Sequence, residues 1–115
     1  MRKRVEDMTF DAIYPLYLNK ITKKGRIQAE LDEVLGWLTG YAPARLHETT
    51  DTLGDFFAAA RVPVAAAQIT GVICGVRVEE IEDPLMRRIR QADKVVDELA
   101  RGKAVAKIRR DTPLA

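Results

Sequence analysis

The sequence predicts an all-α protein, a compact bundle of about five helices, and three observations carry that expectation. Apolar residues recur at i, i+3, i+4, i+7 spacing, the signature of one helix face, in three segments. Glycines, prolines and short capping side chains stand at the ends of those segments. Only one stretch has strand character, and a strand without a partner leaves its amide and carbonyl groups unpaired.

The first helix follows from Phe10, Ile13, Tyr14, Tyr17, Leu18 and Ile21, which share one face, with Thr9 placed to cap it. Pro15 falls inside this pattern, and because the face continues across it the reading is one kinked helix. Lys20, Lys23 and Lys24 crowd the last turn, the end of the helix dipole that suits cations, and Gly25 ends it. A second helix carries Ile27, Leu31, Val34, Leu35 and Leu38, opens on Glu30, Asp32 and Glu33, and closes at Gly40. So short a connection makes the two an antiparallel hairpin, with Trp37 and Tyr41 extending the contact.

Residues 41–65 are less regular. Pro43 opens a short helix through Glu48, and Thr52-Leu53-Gly54-Asp55 reads as a capping box ahead of Phe56-Phe57-Ala58-Ala59-Ala60, stopped by Pro63. The run from Ile69 to Ile81 is ambiguous. Val72, Cys74, Val76 and Val78 alternate like a strand, while Gly71, Cys74, Gly75 and Val78 form a stripe of small residues on a helix. With no second strand legible, a buried helix is preferred; the alternative is that 69–78 forms a strand pairing with its copy in a homodimer. The last long helix is the plainest: Asp83 caps it, Pro84 takes the first position, and Leu85, Ile89, Ala92, Val96 and Leu99 form a heptad-like seam. Gly102 ends it, a short basic helix covers Lys103 to Arg110, and the first hairpin is expected to pack against the Pro84–Arg101 helix. The chain reads as a single helical domain over 1–115, with 1–8 and 111–115 frayed.

Composition narrows the function classes. The chain is 47% hydrophobic and 31% charged, ordinary for a folded protein. Its net charge is only +2, but an acidic middle precedes a basic end. The stretch Val62 to Val78 is interrupted by Gln68, Thr70 and Arg77 and is too short to span a bilayer. No secretory pattern follows Met1–Asp7, and the one cysteine fits a reducing compartment, so the expected location is cytoplasmic.

Motifs for chemistry are sparse. There is no phosphate-binding glycine loop and no metal-ligand spacing, so no cofactor and no metal are expected. Cys74 and His47 could form a nucleophilic pair, but Cys74 between Ile73 and Gly75 reads as a buried hydrophobe and His47 as a surface residue. Glu79, Glu80, Glu82 and Asp83 form an acidic cluster that could serve acid–base work, against the plainer reading of a solvated helix end with its cap. Lys20, Lys23, Lys24 and Arg26, with Arg87 and Arg88, are candidates for contact with nucleic-acid phosphates. Gly71, Cys74, Gly75, Arg77 and Glu80 are the candidates for an interaction surface. The first-ranked function is a non-enzymatic module for protein interaction or self-association, its partner another protein or a second copy. A nucleic-acid-binding protein using the basic turn of the first helix hairpin and the basic C-terminal segment ranks second, and a small enzyme using Cys74 or the acidic cluster third.

Several segments also carry a resemblance. Tyr14-Pro15-Leu16-Tyr17, Lys24-Gly25-Arg26, Trp37-Leu38-Thr39-Gly40-Tyr41, the string Ile69 to Met86, and Asp97-Glu98-Leu99-Ala100 resemble the small bacterial family known as domain of unknown function 2200. The resemblance runs from about Met8 to Arg109 and implies a stand-alone bacterial domain. It brings no activity, substrate or catalytic residue with it.

Overall fold

Six α-helices and one short β-hairpin account for most of residues 4–110, the part of the chain that the computed structural model describes. The helices are α1 (Phe10–Thr22), α2 (Gln28–Thr39), α3 (Pro43–Glu48), α4 (Leu53–Ala58), α5 (Pro84–Ala100) and α6 (Val105–Arg109). Between α4 and α5 lie a 3-10 turn (Val64–Gln68), strands β1 (Val72–Ile73) and β2 (Val76–Arg77), and a second 3-10 turn (Val78–Glu80). The fraying expected at 111–115 and at the first three residues lies outside the described residues. Of the expected frayed start, Val5–Asp7 forms a 3-10 turn, and the Met8 carbonyl accepts from Leu53 N–H at 2.7 Å.

The fold is mostly helical, as the periodicity predicts. α1 runs unbroken across Pro15, and Arg26 N–H returns to the Ile21 carbonyl at its end, so the chain turns directly into α2. The cap at Thr9 differs from expectation. Its side chain caps nothing; instead Thr9 forms a backbone bridge with Thr52, and Phe10 N–H bonds the Asp51 carbonyl at 2.9 Å. The first-turn amide is satisfied by a neighbouring chain segment, which makes the hydroxyl cap redundant. Thr52 and Asp83 do cap, accepting from Asp55 N–H and Met86 N–H.

α1 and α2 both pack on α5, whose Ile89, Ala92, Val96 and Leu99 are buried along the predicted seam. Their common core holds Phe10, Ile21, Leu31, Leu35 and Leu38. Phe56 stacks on Phe10 with ring centroids 4.0 Å apart, and Phe57 meets it edge-on, which is how adjacent phenylalanines are both buried.

The segment 69–78 departs from the preferred reading. It is no helix but a hairpin, with Val72 opposite Arg77 and Ile73 opposite Val76. The strand alternative is right about conformation and wrong about the partner, because the pairing lies within the chain. Cys74 (φ +52°) and Gly75 (φ +79°) both take the left-handed conformation of a two-residue hairpin turn. The partner strand is the second half of the same apolar run. Cys74 and Gly75 therefore serve a turn, while Gly71 closes the hairpin base against Lys94 of α5.

Candidate functional site

The hairpin brings the expected interaction residues together on one edge of the molecule. Gly71 donates its N–H to Glu79 Oε1 at 3.0 Å and accepts from Val78 N–H at 3.0 Å, closing the base of the hairpin. That backbone bond holds the Glu79 carboxyl below its usual range. Lys94 of α5 donates to the Val72 carbonyl at 3.3 Å and lies so close that a Cβ on Gly71 would sit 3.2 Å from its Cε. Cys74 is exposed, which corrects the expectation of a buried hydrophobe: it sits at the tip of a two-residue turn. Val72 is 52% exposed and Val76 41%, large values for valines in the only sheet of the described residues. They border an open groove of about 510 Å³ that also takes in Gly75, Arg77, Glu80 and Ile81. Among the described residues neither Arg77 nor Glu80 closes an ion pair.

The nucleic-acid candidates do not assemble into one surface. Lys20 pairs with Asp97 at 3.2 Å. Arg26 pairs with Glu30 at 2.7 Å and donates to the Leu99 and Lys103 carbonyls, satisfying the open end of α5. Arg87 and Arg88 lie at the opposite end of α5, where Arg87 Nε donates to the Ile81 carbonyl at 2.7 Å and Arg88 to Gln91 Oε1 at 2.9 Å. Lys23 and Lys24 remain exposed beyond α1.

Sequence reasoning missed the polar network around Asp32. Tyr14 of α1 donates its hydroxyl to Asp32 Oδ1 on α2, and His47 Nε2–H of α3 donates to Asp32 Oδ2 at 2.8 Å. Gln28, one turn before Asp32, donates to the Tyr14 hydroxyl at 3.1 Å. Burial, together with the Asp32 bond, pushes the Tyr14 hydroxyl well above its ordinary pKa, so it stays a donor. The signal available in the sequence was the i, i+4 pair Gln28/Asp32 beside a tyrosine on an apolar face, which is too common to single out. The network joins α1, α2 and α3. It also gives His47 a carboxylate partner on α2, while Cys74 stands on the hairpin, and no hydrogen bond among the described residues links the two.

In the acidic cluster, Glu79 holds the hairpin base and Asp83 caps α5. No group of three or more His, Cys, Asp or Glu among the described residues is placed to hold a metal ion. No helix among them is long and apolar enough to cross a membrane.

Fold and site together define a small, mostly helical protein with one internal hairpin beside its longest helix. The chain belongs to the DUF2200 family, described as an uncharacterized protein conserved in bacteria, whose profile matches residues 4–110. Among solved structures, the crystal structure of uncharacterized protein SP1917 is similar to it at 38% sequence identity, with a TM-score of 0.88 over 99% of this chain and 98% of that one. No curated protein matches.

Proposed function

We propose that the chain acts as a single-domain, non-enzymatic module that associates with a second copy of itself through the hairpin face. The observation that carries this reading is the groove beside β1 and β2, where exposed Val72 and Val76 lie with Arg77 and Glu80, two opposite charges without an ion-pair partner among the described residues. A two-fold contact is self-complementary, so it sets Arg77 of one copy against Glu80 of the other while the valines meet between them. The face is small, which places the association in the weak, concentration-dependent class. An exposed, unpaired cysteine on this face fits a cytoplasmic location.

The nucleic-acid reading has less support, because Lys20 and Arg26 are held by carboxylates and Arg87 and Arg88 stand at the far end of α5. Size-exclusion chromatography with light scattering, over a range of protein concentrations and with a short duplex at low salt, separates the two. Mass that rises with protein concentration is expected. Arg77→Glu should abolish that rise, and adding Glu80→Arg to it should restore it. A monomer at every concentration removes the proposal, and a mass shift seen only with DNA replaces it with the nucleic-acid reading.

A further inference from the structure

Behind the Asp83 cap, the opening turns of α5 hold Arg87, Arg88 and Arg90, with no acid inside the helix before Asp93. Carboxylates rather than cations are favoured at that end of a helix. Arg90 is neutralised by Asp93 at 2.9 Å. Arg87 and Arg88 are half-buried, permanently charged, and form no ion pair with any carboxylate of the described residues. Elsewhere Arg26, Arg45, Arg101 and Arg110 each have a carboxylate within 3 Å.

Both unpaired guanidiniums line a cavity of about 290 Å³ between α5 and the segment that follows α4. Its accessible apolar lining comes from Val62, Pro63, Val64 and Ala67; Ile69 and Val78 also border it but are almost wholly buried. The arginines are held in place from within. Arg87 bonds the Ile81 carbonyl through Nε alone, leaving its two terminal amino groups for a ligand, and Arg88 is anchored by Gln91, itself fixed to the Ala66 carbonyl at 3.2 Å. A fork of guanidinium donors over an apolar floor matches a carboxylate joined to hydrocarbon. The volume is at the small end for ligand pockets, enough for a branched aliphatic body and too little for a nucleotide.

We propose that this cavity binds a small organic carboxylate with a short aliphatic body, its carboxylate on Arg87 and Arg88 and its hydrocarbon against Val62, Pro63, Val64 and Ala67. Glu79 also stands at the wall, so a ligand that carries an ammonium group besides its carboxylate could pair there. A simple branched acid and an apolar amino acid share the recognised chemistry. The site lies on the cavity side of Val78 and Glu79, apart from the groove proposed for self-association, and does not depend on it.

The test is a heteronuclear NMR titration of the full chain with 4-methylpentanoate, its neutral amide, leucine and inorganic phosphate, following the amides of Ile69, Val78 and Gln91. Saturable shifts are expected with 4-methylpentanoate, with the neutral amide weaker on the order of tenfold or more. Leucine binding more tightly assigns the ammonium to Glu79 and the ligand to the amino acids; leucine binding more weakly assigns it to the simple acids. Ala67→Leu, at an exposed position of the floor, should weaken binding on the order of tenfold with both arginines intact. Arg87→Gln should weaken the acid toward the level of the amide. No saturable shift with either acid in the wild-type protein overturns the proposal. So does phosphate acting on the same amides as strongly as 4-methylpentanoate, or Ala67→Leu binding unchanged.

Discussion

The two ends of α5 treat the same charge in opposite ways. At the C-terminal end, Asp97 takes Lys20 and Arg101, Glu98 takes Arg110 and Lys103, and Arg26 caps the carbonyls of Leu99 and Lys103 while pairing with Glu30. At the N-terminal end, Arg87 and Arg88 stand over a cavity without a carboxylate partner among the described residues. Cations at the first end complement the helix dipole and hold α1, α2 and α6 to α5; cations at the second oppose it. A basic residue count alone would assign both ends the same role. The structure divides them into cations paired with carboxylates and cations, Arg87 and Arg88, that bond only neutral oxygens among the described residues.

That division can be broken most sharply at Glu98. Its carboxylate is nearly buried and meets the equally buried Arg110 at 2.6 Å. Glu98→Ala leaves that guanidinium buried without its counter-charge and should cost about 3 kcal/mol in urea unfolding. Arg26→Ala is expected to come next, at about 1.5 kcal/mol by the same measurement, because two carbonyls and a carboxylate lose a charged donor.

The Arg26–Glu30 pair also gives a pH signature. Hydrogen bonds from Arg26 and from Ile27 N–H hold the Glu30 carboxyl below its ordinary value of 4.5. A depressed carboxyl stabilises the fold above the unfolded value, and that stability is lost as pH falls from about 4.5 through the lower folded value. Glu30→Gln should therefore show a shallower loss of stability than the wild type over that acid window. The smallest effect is expected at the hairpin: Arg77→Ala, exposed and without an ion pair, should leave unfolding of the monomer within about 0.5 kcal/mol of the wild type. A loss there as large as at Arg26 would show that Arg77 holds the fold despite having no ion pair among the described residues.

Much of the fold was legible because helices declare themselves locally. The faces of α1, α2 and α5, the stops at Gly25 and Gly40, and the Asp83-Pro84 start depend on residues within a few positions of one another. The same local logic misled at Ile69–Val78, where a run of valines and isoleucines satisfies both periods. What decides it is the Cys74-Gly75 turn, which lets one apolar run supply both strands. A left-handed cysteine is uncommon enough that a sequence reading does not expect it. The proposed interaction residues Gly71, Cys74, Gly75, Arg77 and Glu80 could be grouped from the sequence, since they are neighbours along the chain. The exposure of Cys74, Gly75, Arg77 and Glu80 could not.

Sequence by itself determined the helical class, the bounds of the longer helices, and the pairing of the first two into a hairpin against α5. These follow from periodicity and caps, which act over a turn or two of chain. Only the tertiary structure decided which charges face each other. Asp32 with Tyr14 and His47, Arg26 with the end of α5, and Arg87 with Arg88 over an apolar floor each join residues whose meeting depends on how packed helices are placed. An ionic partner is chosen by distance in space, and no local pattern encodes it.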